Sequence, residues 1–192
     1  MKLLLRVIFS TTLLVIGIML LGRTHAIAAP TWDLDPNSSS VGFVATYSGV
    51  DVKGNFDNYN ANINFHPEDL GTSHILIEID TASLNTQSTD RDKVIMSEAF
   101  FDSPNFPKAI FEAKSFEKLS NLDFIAHGTL TLHGVTKELT LPFQAVVNKK
   151  GLAATGSTEV SRLEYGVGSG LWLDTAVIGE MVRITFAIEG QN

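Results

Sequence analysis

Cysteine is absent from all 192 residues. That removes thiol chemistry, disulfides and acylation of a cysteine at a processed N-terminus. It does not argue against an oxidising compartment, because a domain of this size can rely on its core instead. Enzyme signatures are missing as well. No serine occupies a G-x-S-x-G elbow, and Gly168-Ser169-Gly170 lacks the surrounding pattern. No H-E-x-x-H occurs, and His66, His74, His127 and His133 are scattered without metal-ligand spacing. Gly166, Gly168 and Gly170 resemble a phosphate loop in composition alone, since no helical pattern follows them; a connection rich in turns is expected. These absences leave no catalytic, metal or cofactor residues to assign.

Long hydrophobic runs are also lacking, with one short exception. Lys2 and Arg6 precede an apolar stretch from Val7 to Leu21, followed by the small-residue sequence Ala26-Ile27-Ala28-Ala29. That order is the layout of a secretory signal with a cleavage site near Ala28. At about fifteen residues, the run falls short of the roughly 20 that span a bilayer comfortably. The expectation is a signal peptide at 1–28, one domain at 29–192, and a periplasmic or secreted protein. Positive charge is scarce after the leader. The whole chain has 14 basic and 21 acidic residues. Losing Lys2, Arg6 and Arg23 leaves eleven basic residues, a net charge of −10. Such a balance argues against nucleic acid and anionic membrane surfaces as main partners.

What remains is alternation. Val41, Phe43, Ala45 and Tyr47 fall on one side of a first strand, and Val50, Val52, Gly54 and Phe56 on one side of a second. Similar period-two runs include Ala61–Phe65, Ile75–Ile79, Phe124–Leu132, Leu139–Phe143 and Val182–Ile188. His133-Gly134 and Lys149-Lys150-Gly151 read as hairpin turns. One segment departs from this rhythm. Arg91, Val94, Ile95, Glu98 and Phe101 fall at helical spacings, with Thr89 and Asp92 as a candidate capping box and Pro104 and Pro107 as stops. The chain therefore reads as all-β, antiparallel, with about eight strands and a short helix inserted near 90–101. That strand count suggests a closed barrel or a sandwich. An eight-stranded barrel either fills its interior with side chains or holds one small ligand, and alternation alone does not choose.

Two charged groups stand out. Asp90-Arg91-Asp92 either orients a polar headgroup through charge-assisted hydrogen bonds or simply opens the helix. Arg162, after a strand, is placed to pair with a loop carboxylate.

The same residues carry a family resemblance. Trp32-Asp33-Leu34-Asp35-Pro36 with Ser40, Val41 and Phe43 resembles the opening strand of the YceI-like, polyisoprenoid-binding family of bacterial proteins. Gly54-Asn55-Phe56 is similar to its G-x-F step. Thr86, Arg91-Asp92, Phe100-Phe101-Asp102, Phe106-Pro107 and Phe111 follow its middle motif. Gly128 to Lys137 resembles its hairpin, and Arg162 to Gly166 with Gly179 to Val182 completes the set. The resemblance spans Trp32 to Glu189. It implies a lipocalin-like antiparallel barrel in the periplasm, a tunnel for a polyisoprenoid, isoprenoid quinone or other long-chain lipid, and no catalytic residues. It leaves room for transient membrane contact and for a homodimer. Many members carry a histidine where this chain has Tyr47, which implies a different headgroup preference if that position touches the ligand.

If the inward faces line a tunnel, its lining is Phe43, Phe56, Ile63, Phe65, Ile77, Ile79, Phe111, Leu130, Leu132, Leu141, Ile184 and Phe186. Tyr47, Arg91, Asp92 and Arg162 are the candidates for the headgroup. Two other functions remain open on the sequence: a secreted stress or interaction module with a filled barrel, and an enzyme acting on a hydrophobic substrate in the same cavity.

Overall fold

The computed structural model describes residues 30–191. The leader expected at 1–28 lies outside the described residues. Eleven strand segments form one antiparallel sheet that closes on itself. In chain order they are β1 (Thr31–Leu34), β2 (Ser40–Tyr47), β3 (Val50–Phe56), β4 (Tyr59–Asn64), β5 (His74–Asp80), β6 (Leu84–Asn85), β7 (Lys108–Lys118), β8 (Asp123–Leu132), β9 (Val135–Asn148), β10 (Gly151–Ser161) and β11 (Met181–Gln191). Among the described residues the one α-helix, α1, is Thr89–Met96.

The eleven segments build eight walls. β1 and β2 are one wall interrupted at Asp35–Ser39, because both pair with β11: Asp33 opposes Gln191 and Val44 opposes Arg183. β3 and β4 are likewise one wall broken at Asp57-Asn58, with β2 pairing β3 and β1 pairing β4. β5, β7, β8, β9, β10 and β11 complete the ring. The result is the closed eight-stranded antiparallel barrel that the resemblance implies, and it decides between the barrel and the sandwich that the strand count left open. Closure leaves no long unpaired edge in the lower part of the ring.

The two ends differ. At the lower end β4 pairs with β5 over its whole length, from Tyr59–Ile79 to Asn64–His74. At the upper end β3 pairs with β2 on one side and on the other meets only β6, at Asn55–Asn85 and Phe56–Leu84. The chain from Thr81 to Pro107 is inserted between β3 and β7, and carries α1. Thr81, buried, anchors this insert: its N–H donates to Pro107 O and its hydroxyl to Phe106 O, each at 3.0 Å. The hairpin at His133-Gly134 has φ of 50° and 74°, the left-handed pair that a two-residue turn between twisted strands requires. The His133 ring stands edge-on to Phe106, with centroids 4.9 Å apart, so this hairpin is tied to the insert.

The helix is shorter than the spacing predicts. It ends at Met96, where Ser97 N–H bonds back to Val94 O, and residues 97–106 form turns with Asp102 at φ 46°. The expected capping box is not formed. Ser88 precedes the helix without a side-chain cap, and the Asp92 carboxylate instead accepts the N–H and hydroxyl of Thr86.

Candidate functional site

A cavity of about 480 Å³ occupies the upper half of the barrel. Its volume falls in the range of small-molecule sites. The wall is almost wholly apolar: Val41, Phe43, Val52, Phe56, Leu130 and Ile184 from the strands, Val94, Ile95 and Phe101 from α1 and its following turns, and Val167, Trp172 and Ile178 from the segment between β10 and β11.

The lower half is solid. Phe65, 1% exposed, meets Phe124 at 5.2 Å and Phe143 at 5.5 Å between ring centroids, both edge-on, and Phe116 at 6.0 Å. Phe124 and Phe143 stack at 5.5 Å. Trp32 closes the bottom, donating from its indole N–H to Phe65 O at 3.0 Å. Rings from four walls therefore meet on the axis, in the offset and edge-on arrangements that aromatic pairs prefer.

This division sorts the expected lining. Phe43, Phe56, Ile79, Leu130, Leu132 and Ile184 face the cavity. Ile63, Phe65, Phe111 and Leu141 do not: they point inward but are buried in the packed core at and above the aromatic floor. Phe186 also points inward, yet its ring lies over Gly156, where an added Cβ would sit 2.7 Å from it; the ring fills the space that glycine leaves. Ile77 shares the inward face with Phe111 by register and is half-buried, off the cavity wall. Alternation finds the inward face, but the height along each strand decides between plug and wall.

Three of the four headgroup candidates reach the cavity, and they differ. Tyr47, at the end of β2, is half exposed at the mouth. Arg91 is exposed on α1; its Nε donates to Thr86 Oγ1 at 2.8 Å and its Nη2 to Thr86 O at 2.7 Å. Among the described residues Nη1 has no hydrogen-bond partner and no carboxylate lies within salt-bridge distance, so one edge of the guanidinium is open toward the mouth. Asp92 lies off the cavity, and its carboxylate is occupied by Thr86. Asp90 lines the mouth in its place.

Arg162 corrects the expectation made for it. It is 3% exposed and pairs with no carboxylate among the described residues. All five of its N–H groups instead go to backbone carbonyls. Nε donates to Gly179 O at 3.0 Å, Nη1 to Val167 O and Gly168 O at 2.9 and 3.3 Å, and Nη2 to Trp172 O and Ile178 O at 2.7 and 2.9 Å. Burial pushes its pKa down, and nearby Glu180 opposes that shift. With every donor committed, Arg162 has no hydrogen bond left for a headgroup. It pins residues 166–179 over the barrel end. Gly168, at φ +86°, is part of that pin, since an added Cβ would meet Nη1.

The mouth is ringed by three segments bonded to one another. Gly168 N–H and Ser169 N–H both donate to Ala99 O, at 2.9 and 2.8 Å, and Phe100 and Trp172 are in ring contact at 5.5 Å. Ser48 N–H donates to Val177 O and Gly179 N–H to Thr46 O, at 2.7 and 2.9 Å. The cavity residues that alternation missed lie mostly in these segments. Phe100 and Phe101 belong to the resemblance motif, and Leu171-Trp172-Leu173 is an apolar run outside any strand; both were visible signals.

Comparison with known proteins agrees with this geometry. The YceI-like domain model matches residues 32–190. A UPF0312 protein of Shewanella putrefaciens is 28% identical over 183 residues, covering 91% of this chain and 94% of its own length. Among solved structures, BcnA of Burkholderia cenocepacia superposes with a TM-score of 0.80 at 24% identity, covering 83% of this chain and all of that one. The Campylobacter jejuni YceI protein gives 0.69 at 25% identity, covering 74% and 86%. A polyisoprenoid-binding domain from Saccharophagus degradans, implicated in plant cell wall breakdown, gives 0.66 at 18% identity, covering 83% and 97%. From the closed barrel, the insert beside its upper end and the match along nearly every described residue, the chain belongs to the YceI-like domain family.

Proposed function

We propose that this protein is an exported lipid carrier that holds the apolar chain of an isoprenoid or similar amphiphile in the upper half of its barrel, with the polar end at the mouth. The observation that carries this reading is the 480 Å³ cavity with an almost entirely apolar wall, blind at the aromatic floor. The likeness in fold to a domain described as polyisoprenoid-binding supports it. So does the leader ending near Ala28, for delivery to the periplasm.

The volume bounds the cargo. A cavity of about 480 Å³ with an open mouth lies within the range that takes one small molecule, so it holds one part of an isoprenoid chain and leaves the polar end at the mouth. Withdrawing each methylene-sized group from water is worth about 0.8 kcal/mol, which makes release into water very slow. Transfer from a bilayer is different, because the chain exchanges one apolar medium for another and the net driving force is small. Near-balance of that kind suits a carrier that loads and unloads at membranes. The reading is of a binder and not an enzyme: the ionisable side chains on the cavity, Tyr47, Asp90, Arg91 and Arg162, gather at its upper end, and Arg162 is fully engaged by carbonyls.

Native mass spectrometry of protein purified from its own host tests this directly. Roughly one apolar amphiphile per chain is expected. A chain that leaves its host empty, and takes up no farnesol or longer polyprenol from detergent solution, contradicts the carrier reading.

A further inference from the structure

Large apolar side chains are exposed unevenly over the barrel. Leu119, Leu122 and Val146 form a smaller group at the lower end, where Ala145 N–H bonds to Leu122 O, away from the cavity. Six others gather at the upper end: Tyr47 and Val50 flank the β2–β3 turn, Val94 projects from α1, Leu171 and Leu173 flank Trp172, and Met181 opens β11. Leu171 is 93% exposed, the extreme of the set. Tyr47, Val94 and Trp172 belong both to this rim and to the cavity wall, so the exposed apolar surface runs continuously into the cavity. Scattered surface leucines need no explanation, but a cluster around one opening does.

We infer that this rim is a membrane-docking surface, seated on an uncharged or zwitterionic bilayer with Leu171 and Leu173 in the acyl boundary, so that cargo passes between bilayer and cavity without crossing water. The inference rests on the carrier reading for its purpose and on the rim for its geometry. A chain of several isoprene units cannot cross open water at a useful rate, because each exposed methylene-sized group adds about 0.8 kcal/mol to the barrier. An opening pressed into the acyl boundary removes that barrier.

Charge selects the kind of bilayer. Asp51, Asp90, Glu98, Asp174 and Glu180 lie on or beside the rim segments, against Lys53, Arg91 and Lys93. The rim thus lacks the basic excess with which interfacial segments bind anionic lipid, and the chain as a whole is acidic. Apolar insertion, not charge, must supply the contact. The 3₁₀ turn that carries Leu171 and Leu173 (Gly170–Leu173) is held from beneath by the Arg162 bond to Trp172 O, so the two leucines are presented on a fixed base.

The two tryptophans make the test. Trp172 lies at the mouth and Trp32 is buried, 3% exposed, at the floor. Phosphatidylcholine vesicles with brominated acyl chains should quench part of the fluorescence of the full protein. The Trp172→Phe variant should show no quenching. Leu171→Asp with Leu173→Asp, at positions off the cavity wall, should lower vesicle partitioning roughly tenfold or more and slow lipid uptake from vesicles while leaving the melting temperature unchanged. Adding anionic lipid should not strengthen binding. The inference is overturned if wild-type protein is not quenched, or if the double aspartate variant is quenched equally. It is also overturned if light scattering shows a dimer that the aspartates split while vesicle binding stays nil, since the partner is then a second copy. Lipid content measured on the same samples separates the two ideas. Lipid-loaded protein without quenching ends the docking inference alone, and quenched protein that never holds lipid ends the carrier reading alone.

Discussion

The lower and upper halves of this barrel share walls, strand direction and alternation, yet one is solid and the other hollow. In the lower half Phe65, Phe116, Phe124 and Phe143 converge on the axis, and every wall pairs with its neighbours. In the upper half the insert from Thr81 to Pro107 holds β3 away from β7, and Ala45 and Ala109 contribute little volume to the interior. A period of two places a side chain inside; the sum of inward volumes against local barrel width decides whether space remains. The polar groups divide in the same way. The floor has a tryptophan N–H bonded to a carbonyl, whereas the mouth has an arginine whose five donors fasten a cover.

Truncation at matched depths sharpens the contrast most. Phe65→Ala removes a ring touched on three sides by other rings and should cost about 3–5 kcal/mol of stability by urea denaturation. Ile184→Ala, on a wall that faces open space, should cost less than about 2 kcal/mol, because fewer partner atoms are lost. Equal costs would mean that the upper half is packed as tightly as the floor.

Arg162→Met comes next. It leaves five carbonyls of the cover without their donor, each buried acceptor costing about 1 kcal/mol or more, so a loss of about 3 kcal/mol is expected once some carbonyls find water. Hydrogen exchange should rise first in residues 166–179 and leave β4 and β5 protected. Uniform loosening of the whole barrel would contradict the pinning role.

Acid should produce the smallest effect, and it should begin away from the mouth. The Asn37 N–H and the Ser38 hydroxyl hold Asp35 below its ordinary pKa, and Lys118 does the same for Glu68. Lys114 with His74 lowers Glu112, and the Ser120 hydroxyl with Gln144 lowers Asp123. Their folded values lie below their unfolded ones, so the stabilisation is complete above the unfolded pKa and lost as pH falls through the folded value. All four carboxylates stay in contact with solvent, Glu68 exposed and Asp35, Glu112 and Asp123 half-buried, which keeps the effect small. A modest fall in melting temperature between about pH 5 and pH 3, with lipid retained, is the expected result.

The sequence made the barrel legible because alternation and turn chemistry are local: His133-Gly134 and Lys149-Lys150-Gly151 form hairpins, with positive φ at His133, Gly134 and Gly151. It also made half of the cavity legible, since Phe43, Phe56 and Ile184 needed only an inward face. What it hid depends on distant partners. Nothing near Phe65 reveals that rings from other walls meet it. The carbonyls around Arg162 come from residues 167 to 179, and backbone acceptors leave no mark in a sequence. The spacing makes Asp92 the capping-box partner of Thr89, but Thr86, three residues before the helix, holds its carboxylate.

The most direct test fills the hollow without touching the floor. Ala45, on β2, faces the cavity, and Ala45→Phe places a ring in its middle. Protein purified from the native host should then melt at or above the wild-type temperature while retaining less than about a tenth of the bound lipid seen in wild type by native mass spectrometry. Full lipid occupancy in a folded Ala45→Phe protein would contradict the account, because the cargo would then lie somewhere other than the upper half of the barrel.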